Sequence, residues 1–84
     1  MRAFDAVARL GSVTRAAQEL NLTRSAVSHQ LRFLEDEVGF ALIEREGRGV
    51  VLTARGEDYA REVRKALQTL TDARARSADA ALTG

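Results

Sequence analysis

Cysteine and proline are absent from the 84-residue sequence, and histidine occurs once, as His29. Without cysteine there are no disulfides and no thiolate metal sites, a composition suited to a reducing, cytoplasmic setting. With one histidine and no cysteine, no nucleophile–base pair can be named, so an enzyme fails on inventory. A chain this short has a thin core and no room for a cofactor pocket of ordinary size. No metal and no cofactor are therefore expected. The longest apolar runs are a handful of residues, far short of a membrane span. No basic segment followed by a long apolar stretch opens the chain, so no secretory signal is visible and no membrane partner is expected. The missing proline also means that nothing of that kind interrupts a helix.

Charge of one sign is lacking too. Thirteen Lys and Arg against twelve Asp and Glu leave a formal net charge of +1, so the total predicts no polyanionic partner. Only the placement of charge can speak. Lys65 is the sole lysine, and every other cation is arginine. Arginine suits forked recognition of phosphate or guanine, although a compositional bias of the genome produces the same excess. A hydrophobic share of 45% is that of an ordinary globular domain.

Hydrophobic spacing predicts a mainly α-helical chain. Phe4, Val7 and Ala8 share a stripe over Arg2 to Leu10, which Gly11 ends. Val13, Ala16, Ala17 and Leu20 fall at i, i+3, i+4 and i+7, a short amphipathic helix with Ser12 or Thr14 as its N-cap. Asn21 suits a left-handed turn, and Leu22 is expected to bury itself beneath it. Thr23 is read as the cap of a third helix running to about Val38, with Val27, Leu31, Leu34 and Val38 as its apolar stripe. Gly39 closes that helix. Two short runs, Phe40 to Glu44 and Val50 to Leu52, flank REGRG, where Gly47 and Gly49 around Arg48 read as a hairpin turn with positive dihedrals. Thr53 then caps a long final helix on which Tyr59, Val63, Leu67 and Leu70 recur, with Ala66 and Ala73 beside them. Beyond about Ala78 the chain is alanine-rich and is expected to fray before Thr83-Gly84.

Two short helices joined by a tight turn can offer the second to a DNA major groove, which admits one helix and displays a pattern of donors and acceptors. The reading helix needs long or hydrogen-bonding side chains on one face and an apolar back. Thr23, Arg24, Ser25, Ser28, His29 and Arg32 meet the first need, and Val27, Leu31 and Leu34 the second. That polar face carries no acid over its first ten residues; Glu35, Asp36 and Glu37 come only at the far end. Ala16 and Ala17 are small where two helices must cross closely.

The stretch SVTRAAQELNLTRSAVSHQLRFLEDEVGFALIEREGRGVVLTARG resembles the N-terminal domain of LysR-type transcription regulators. The matching pieces are Thr14 to Leu20, Thr23 to Leu34, Glu35 with Gly39, Arg45 to Gly49, and Leu52-Thr53 with Gly56. The resemblance is to the branch containing the glycine-cleavage activator in particular, which also favours a histidine like His29. It implies a winged helix-turn-helix over residues 1–53, with the helix-turn-helix at about 13–34 and a two-stranded wing at about 40–52. A linker and dimerisation helix over 54–84 follows. The implied function is sequence-specific binding of double-stranded DNA by a homodimeric bacterial regulator, with the reading helix in the major groove and the wing on the minor groove or backbone. Arg24 stands where the family usually has glutamine, so the family's usual target sequence does not carry over. Ala41 replaces a usual proline and Ile43 a usual aromatic residue. The family's large effector domain, about two hundred residues, has no counterpart here. The chain is thus expected to be a piece of a longer regulator, with any small-molecule effector binding only through the missing domain.

Each of these features also has a plain explanation. Arg24, Ser28 and Arg32 are consistent with a solvated helix face, His29 with a structural histidine, and Arg48 with a charged turn tip. An arginine between glycines also suits a minor groove or a phosphate. Glu35, Asp36 and Glu37 are read as a solvated run rather than catalytic carboxylates, since adjacent helical positions point apart. A final helix of about 25 residues spans roughly 38 Å, too long to pack wholly on its own domain. Tyr59, Val63, Ala66, Leu67 and Leu70 are therefore expected at a dimer interface. The rival from another class is a helical protein-interaction module without a nucleic-acid role, which accounts for the neutral charge and the long helix. It does not account for an acid-free polar face beside a glycine-flanked arginine hairpin.

Overall fold

A computed structural model describes the chain as far as Thr83, with side-chain surroundings for residues 1–77. Its elements are α1 (Arg2–Leu10), α2 (Val13–Leu20), α3 (Arg24–Val38), β1 (Ile43–Glu46), β2 (Gly49–Leu52) and α4 (Ala54–Thr83). This is the mainly helical order of elements that the spacing predicts, and the winged helix-turn-helix with a long following helix that the resemblance implies.

Local chemistry accounts for the helix ends. Ser12, rather than Thr14, caps α2: its hydroxyl accepts from the Arg15 N–H at 3.2 Å. Thr23 does the same for α3 at the Ala26 N–H, and Thr53 for α4 at the Gly56 N–H. Each such cap is worth about 1 kcal/mol. Left-handed residues Gly11, Asn21 and Gly39 end the first three helices. At Asn21 the closure is a complete Schellman pair, with Asn21 N–H donating to Gln18 O and Leu22 N–H to Ala17 O. Leu22, expected under the turn, is instead 40% exposed. Backbone bonds hold this turn, and Ala17, the residue such a motif sets opposite Leu22, is too small to cover it.

The core lies where α1 packs against α2, α3 and α4. Phe4, Val7, Val27 and Leu42 are its largest fully buried side chains, joined by Ala16, Ala17 and Leu31. Burying a side chain of this size contributes roughly 1.5–3 kcal/mol. Ala3 and Ala6 of α1 are buried as well, while Ala8, expected on the stripe, is half-buried.

The wing differs from its expected outline. Phe40 to Leu42 form no strand, and the ladder begins at Ile43 and runs on through Glu46. Two of the three are covered: Leu42 is fully buried and Phe40 meets the Tyr59 ring edge-on at 6.4 Å, while Ala41 is exposed. Their backbone groups bond elsewhere, Ala41 O accepting from the Thr53 hydroxyl and Leu42 O from the Thr53 N–H. The strands pair antiparallel with Glu46 opposite Gly49, leaving Gly47 and Arg48 as a two-residue turn. Only Gly47 has a positive φ, the pattern of a type II′ hairpin. Gly49 serves a different purpose from the one expected. A Cβ there would stand 2.9 Å from Gly11 O, and the next residue, Val50, donates its N–H to that same oxygen. The wing is thereby fastened to the end of α1.

The expected division at residue 53 is not a packing boundary. Ala60 and Val63 belong to the same core as Phe4, and the Tyr59 ring sits edge-on to Phe4 at 5.7 Å. Val63, 3% exposed, is thus occupied within this chain rather than open to a partner as expected, and Tyr59 is half-buried. Leu67 is half-buried against the core, whereas Ala66 is exposed and Leu70 is 49% exposed. Beyond Leu67, no described residue of α4 joins the core. Where fraying is expected beyond about Ala78, the backbone stays helical through Thr83, and Gly84 lies outside the described residues. Among the described residues, no helix is long and apolar enough to cross a membrane.

Candidate nucleic-acid interface

The apolar stripe of α3 faces the core, so the opposite rows face outward. Arg24, Ser25, His29 and Arg32 are exposed, and Ser28 is half-buried. Four of these five line one open groove together with Val13 at the start of α2: Arg24, Ser25, Ser28 and Arg32. The groove's other wall is Arg45, on β1. His29 is not among the lining residues and stands one row further round the helix. Thr23 is committed first to its capping bond with Ala26. Arg48 occupies the wing tip, exposed and apart from the groove.

Arg45 was not among the residues expected to touch DNA. Its signal is present in the sequence as strand alternation. Ile43 and Arg45 are two residues apart on β1, and their cross-strand partners Leu52 and Val50 share the same face. Ile43, Val50 and Leu52 pack against the core, so Arg45 points to the same side, at the end where the groove opens. Glu44 and Glu46 fall on the other face. Reading all of REGRG as the connection, three residues longer than the observed turn, hides this alternation.

Electrostatics favour an anionic ligand here despite the near-neutral total. Among the described residues, the ion pairs are Arg9 with Asp5 and Glu19, Arg61 with Asp58, and Lys65 with Glu62. None involves Arg24, Arg32, Arg45 or Arg48. These guanidinium groups need not break a bond to meet a phosphate. Glu35 lines a neighbouring pocket that shares Ser28, Arg32 and Arg45 with the groove, but its carboxylate is engaged by two backbone N–H groups, of Leu42 at 2.8 Å and Ile43 at 3.4 Å. The resolved charge perturbations lie elsewhere. The Arg9 hydrogen bond holds the Glu19 carboxyl below its ordinary value, and the same bond, with help from Asp5, raises Arg9. Among the described residues, no group of three or more His, Cys, Asp or Glu could hold a metal ion. What the groove offers is forked cation donors and hydroxyls along one helix face, with a second arginine-bearing wall. That inventory suits phosphates and base edges.

The profile of the bacterial regulatory helix-turn-helix proteins of the LysR family matches residues 1–57. The chain belongs to the LysR family. It is similar to the glycine cleavage system transcriptional activator of Escherichia coli strain K12, at 46% identity over an 87-residue alignment covering 99% of this chain. The chain spans 28% of the length of that relative. Among solved structures, the CbnR DBD–DNA complex superposes with a TM-score of 0.86 at 34% identity, covering 95% of this chain and 92% of that one. Vibrio fischeri DarR, solved in complex with DNA, gives 0.88 at 26% identity over 99% of this chain and 28% of that one. These LysR-type likenesses extend over α4 as well as the helix-turn-helix, and both solved neighbours were crystallised with DNA.

Proposed function

We propose that this LysR-family chain is the sequence-reading part of a transcription regulator, binding double-stranded DNA with α3 in the major groove and the wing on the minor groove or backbone. The observation that carries this reading is the groove in which Arg24, Arg32 and Arg45 converge without an ion-pair partner among the described residues. Ser25 and Ser28 add hydroxyls that both donate and accept, and His29 flanks them on the outer row. Arg24, at the first position of α3, is the main base reader, since an arginine fork pairs with guanine O6 and N7. Arg45 and Arg48 hold backbone, which positions the helix without reading sequence. A helical protein-interaction module leaves these unpaired arginines without a role.

The active species is a homodimer, with Leu70 and Ala66 of α4 on the open part of the stripe and Leu67 at its edge. A dimer presents two reading helices to two half-sites. Its place is the cytoplasm, where the DNA is, and any effector acts through parts of the regulator beyond this chain.

The test is a salt titration of binding to a mixed-sequence DNA duplex. Each neutralised phosphate releases counterions, so log affinity should fall linearly with log salt, by about 0.9 per contact. Binding indifferent to salt between low and physiological concentrations would sink the proposal.

A further inference from the structure

Glu35 is an acid beside the groove that we read as a seat for a polyanion, in a pocket that shares Arg32 and Arg45 with it, and its charge alone would oppose that ligand. Its bonds give it another task. On the main chain, its carbonyl accepts the Gly39 N–H that closes α3, at 2.9 Å. On the side chain, one carboxylate oxygen, Oε2, accepts from the N–H groups of Leu42 and Ile43. Leu42 is fully buried, and Ile43 opens the wing. The carboxylate therefore joins the last turns of the reading helix directly to the root of the wing. Arg32 lies three residues back along the helix, and Arg45 two residues on from Ile43 along the strand, and both line the neighbouring pocket with Glu35 as well as the groove.

We infer that Glu35 is a positioning residue: it fixes the wing against α3 and so sets the separation of the reading-helix and wing arginines before DNA arrives. A wing left loose would have to be ordered on binding, and that ordering subtracts from affinity. The inference rests on the DNA-binding reading. It also predicts a sign opposite to simple electrostatics. Removing an acid beside phosphates should tighten binding, whereas removing this strut should weaken it.

The experiment compares Glu35→Gln, Glu35→Asp and Glu35→Ala in the 84-residue chain, using the same mixed-sequence duplex. Glutamine drops the charge but keeps an oxygen able to accept both N–H groups, and should bind at least as tightly as the parent. Aspartate keeps the charge but falls one methylene short, and alanine loses both. Each should bind on the order of tenfold more weakly, with a salt slope lowered by about one for each phosphate that the wing no longer reaches. In the alanine background, Arg48→Ala should cost little more, because the wing is already out of place. Amide exchange at Leu42 and Ile43 should quicken in the aspartate and alanine variants and stay slow with glutamine. Should the alanine variant fail to fold, the aspartate variant decides by the same measurements. Aspartate or alanine binding as tightly as the parent, or additive costs for Glu35→Ala and Arg48→Ala, would overturn the positioning role while leaving the DNA reading intact. A parent chain that does not bind the duplex at all would overturn both.

Discussion

Replacing Gly56 by alanine adds one carbon in the first turn of α4, where the helix starts beneath the segment leading into the wing. Local propensity alone favours the change, because alanine in a helix is better than glycine by up to about 1 kcal/mol. The tertiary contact opposes it. A Cβ at Gly56 would stand 2.0 Å from the Leu42 carbonyl oxygen and 2.9 Å from its carbon. Ordinary contact is well over an ångström longer than the first of these. The obstacle is backbone and cannot swing aside. Leu42 O holds the Thr53 N–H at 3.0 Å, Leu42 N–H is held by Glu35, and the Leu42 side chain is fully buried. Overpacking a fixed site costs about 1–3 kcal/mol, and a backbone obstacle places this one at the upper end. After the propensity gain, a net loss of about 2 kcal/mol remains. For a chain of this size each kcal/mol moves the melting temperature by about 4–8 °C, so Gly56→Ala should melt roughly 10 °C lower. Thermal denaturation followed by far-ultraviolet circular dichroism, at one fixed protein concentration because a dimer's midpoint depends on it, measures this directly. A variant melting at or above the parent would refute the argument, since the local term would then have outweighed the contact.

Arg24→Gln should move base preference at one position per half-site from guanine towards adenine, read by selection from a random DNA pool, with about 1–3 kcal/mol of discrimination at stake. A uniform loss of affinity with the selected sequence unchanged would make Arg24 a phosphate clamp and pass the reading role to Ser25, Ser28 and His29. Arg45→Ala should weaken all sequences about equally and lower the salt slope by about one, and Arg48→Ala should do likewise; a changed sequence preference in either would contradict a backbone role. Leu70→Ser should shift sedimentation towards monomer with little change in the fold, because half of Leu70 is already in water. It removes about 1 kcal/mol of burial from each protomer, so the dimer should weaken by tenfold or more. Leu67→Ser should in addition lower the melting temperature, as Leu67 packs against the core. Finally, the lowered Glu19 carboxyl contributes stability above its ordinary value of 4.5 that is lost as pH falls through the lowered folded value. Glu19→Gln should therefore melt below the parent at about pH 7, and the difference should shrink as pH falls below 4.5 and through the lowered folded value. Both groups are exposed, so the effect is small and shrinks with salt.

Local chemistry carried the order and type of the elements in the sequence itself. A period near 3.6 with Ser12, Thr23 and Thr53 in front and Gly11, Asn21 and Gly39 behind specifies four helices, because caps and left-handed stops act within a few residues. The reading face of α3 was legible for the same reason: once a helix has a core stripe at Val27 and Leu31, the direction of Arg24, Ser28 and Arg32 follows from geometry. What depended on distant parts of the chain was not legible. The apolar run Phe40 to Leu42 reads as strand, yet Leu42 is apolar because it is fully buried and Phe40 because it packs on Tyr59. Gly49 and Gly56 read as ordinary turn and helix-start residues, and only the approach of Gly11 O and Leu42 O shows why a side chain is excluded. Tyr59, Val63 and Leu70 share one helical stripe and cannot be told apart by period. The place where α4 leaves the core, past Leu67, decides which of them are spent within the chain and which stay exposed. Arg45 joins Arg24 and Arg32 across a groove whose two walls come from a helix and a hairpin, held in register by Glu35. Their juxtaposition belongs to the packing, since no spacing along the chain encodes a distance between two elements.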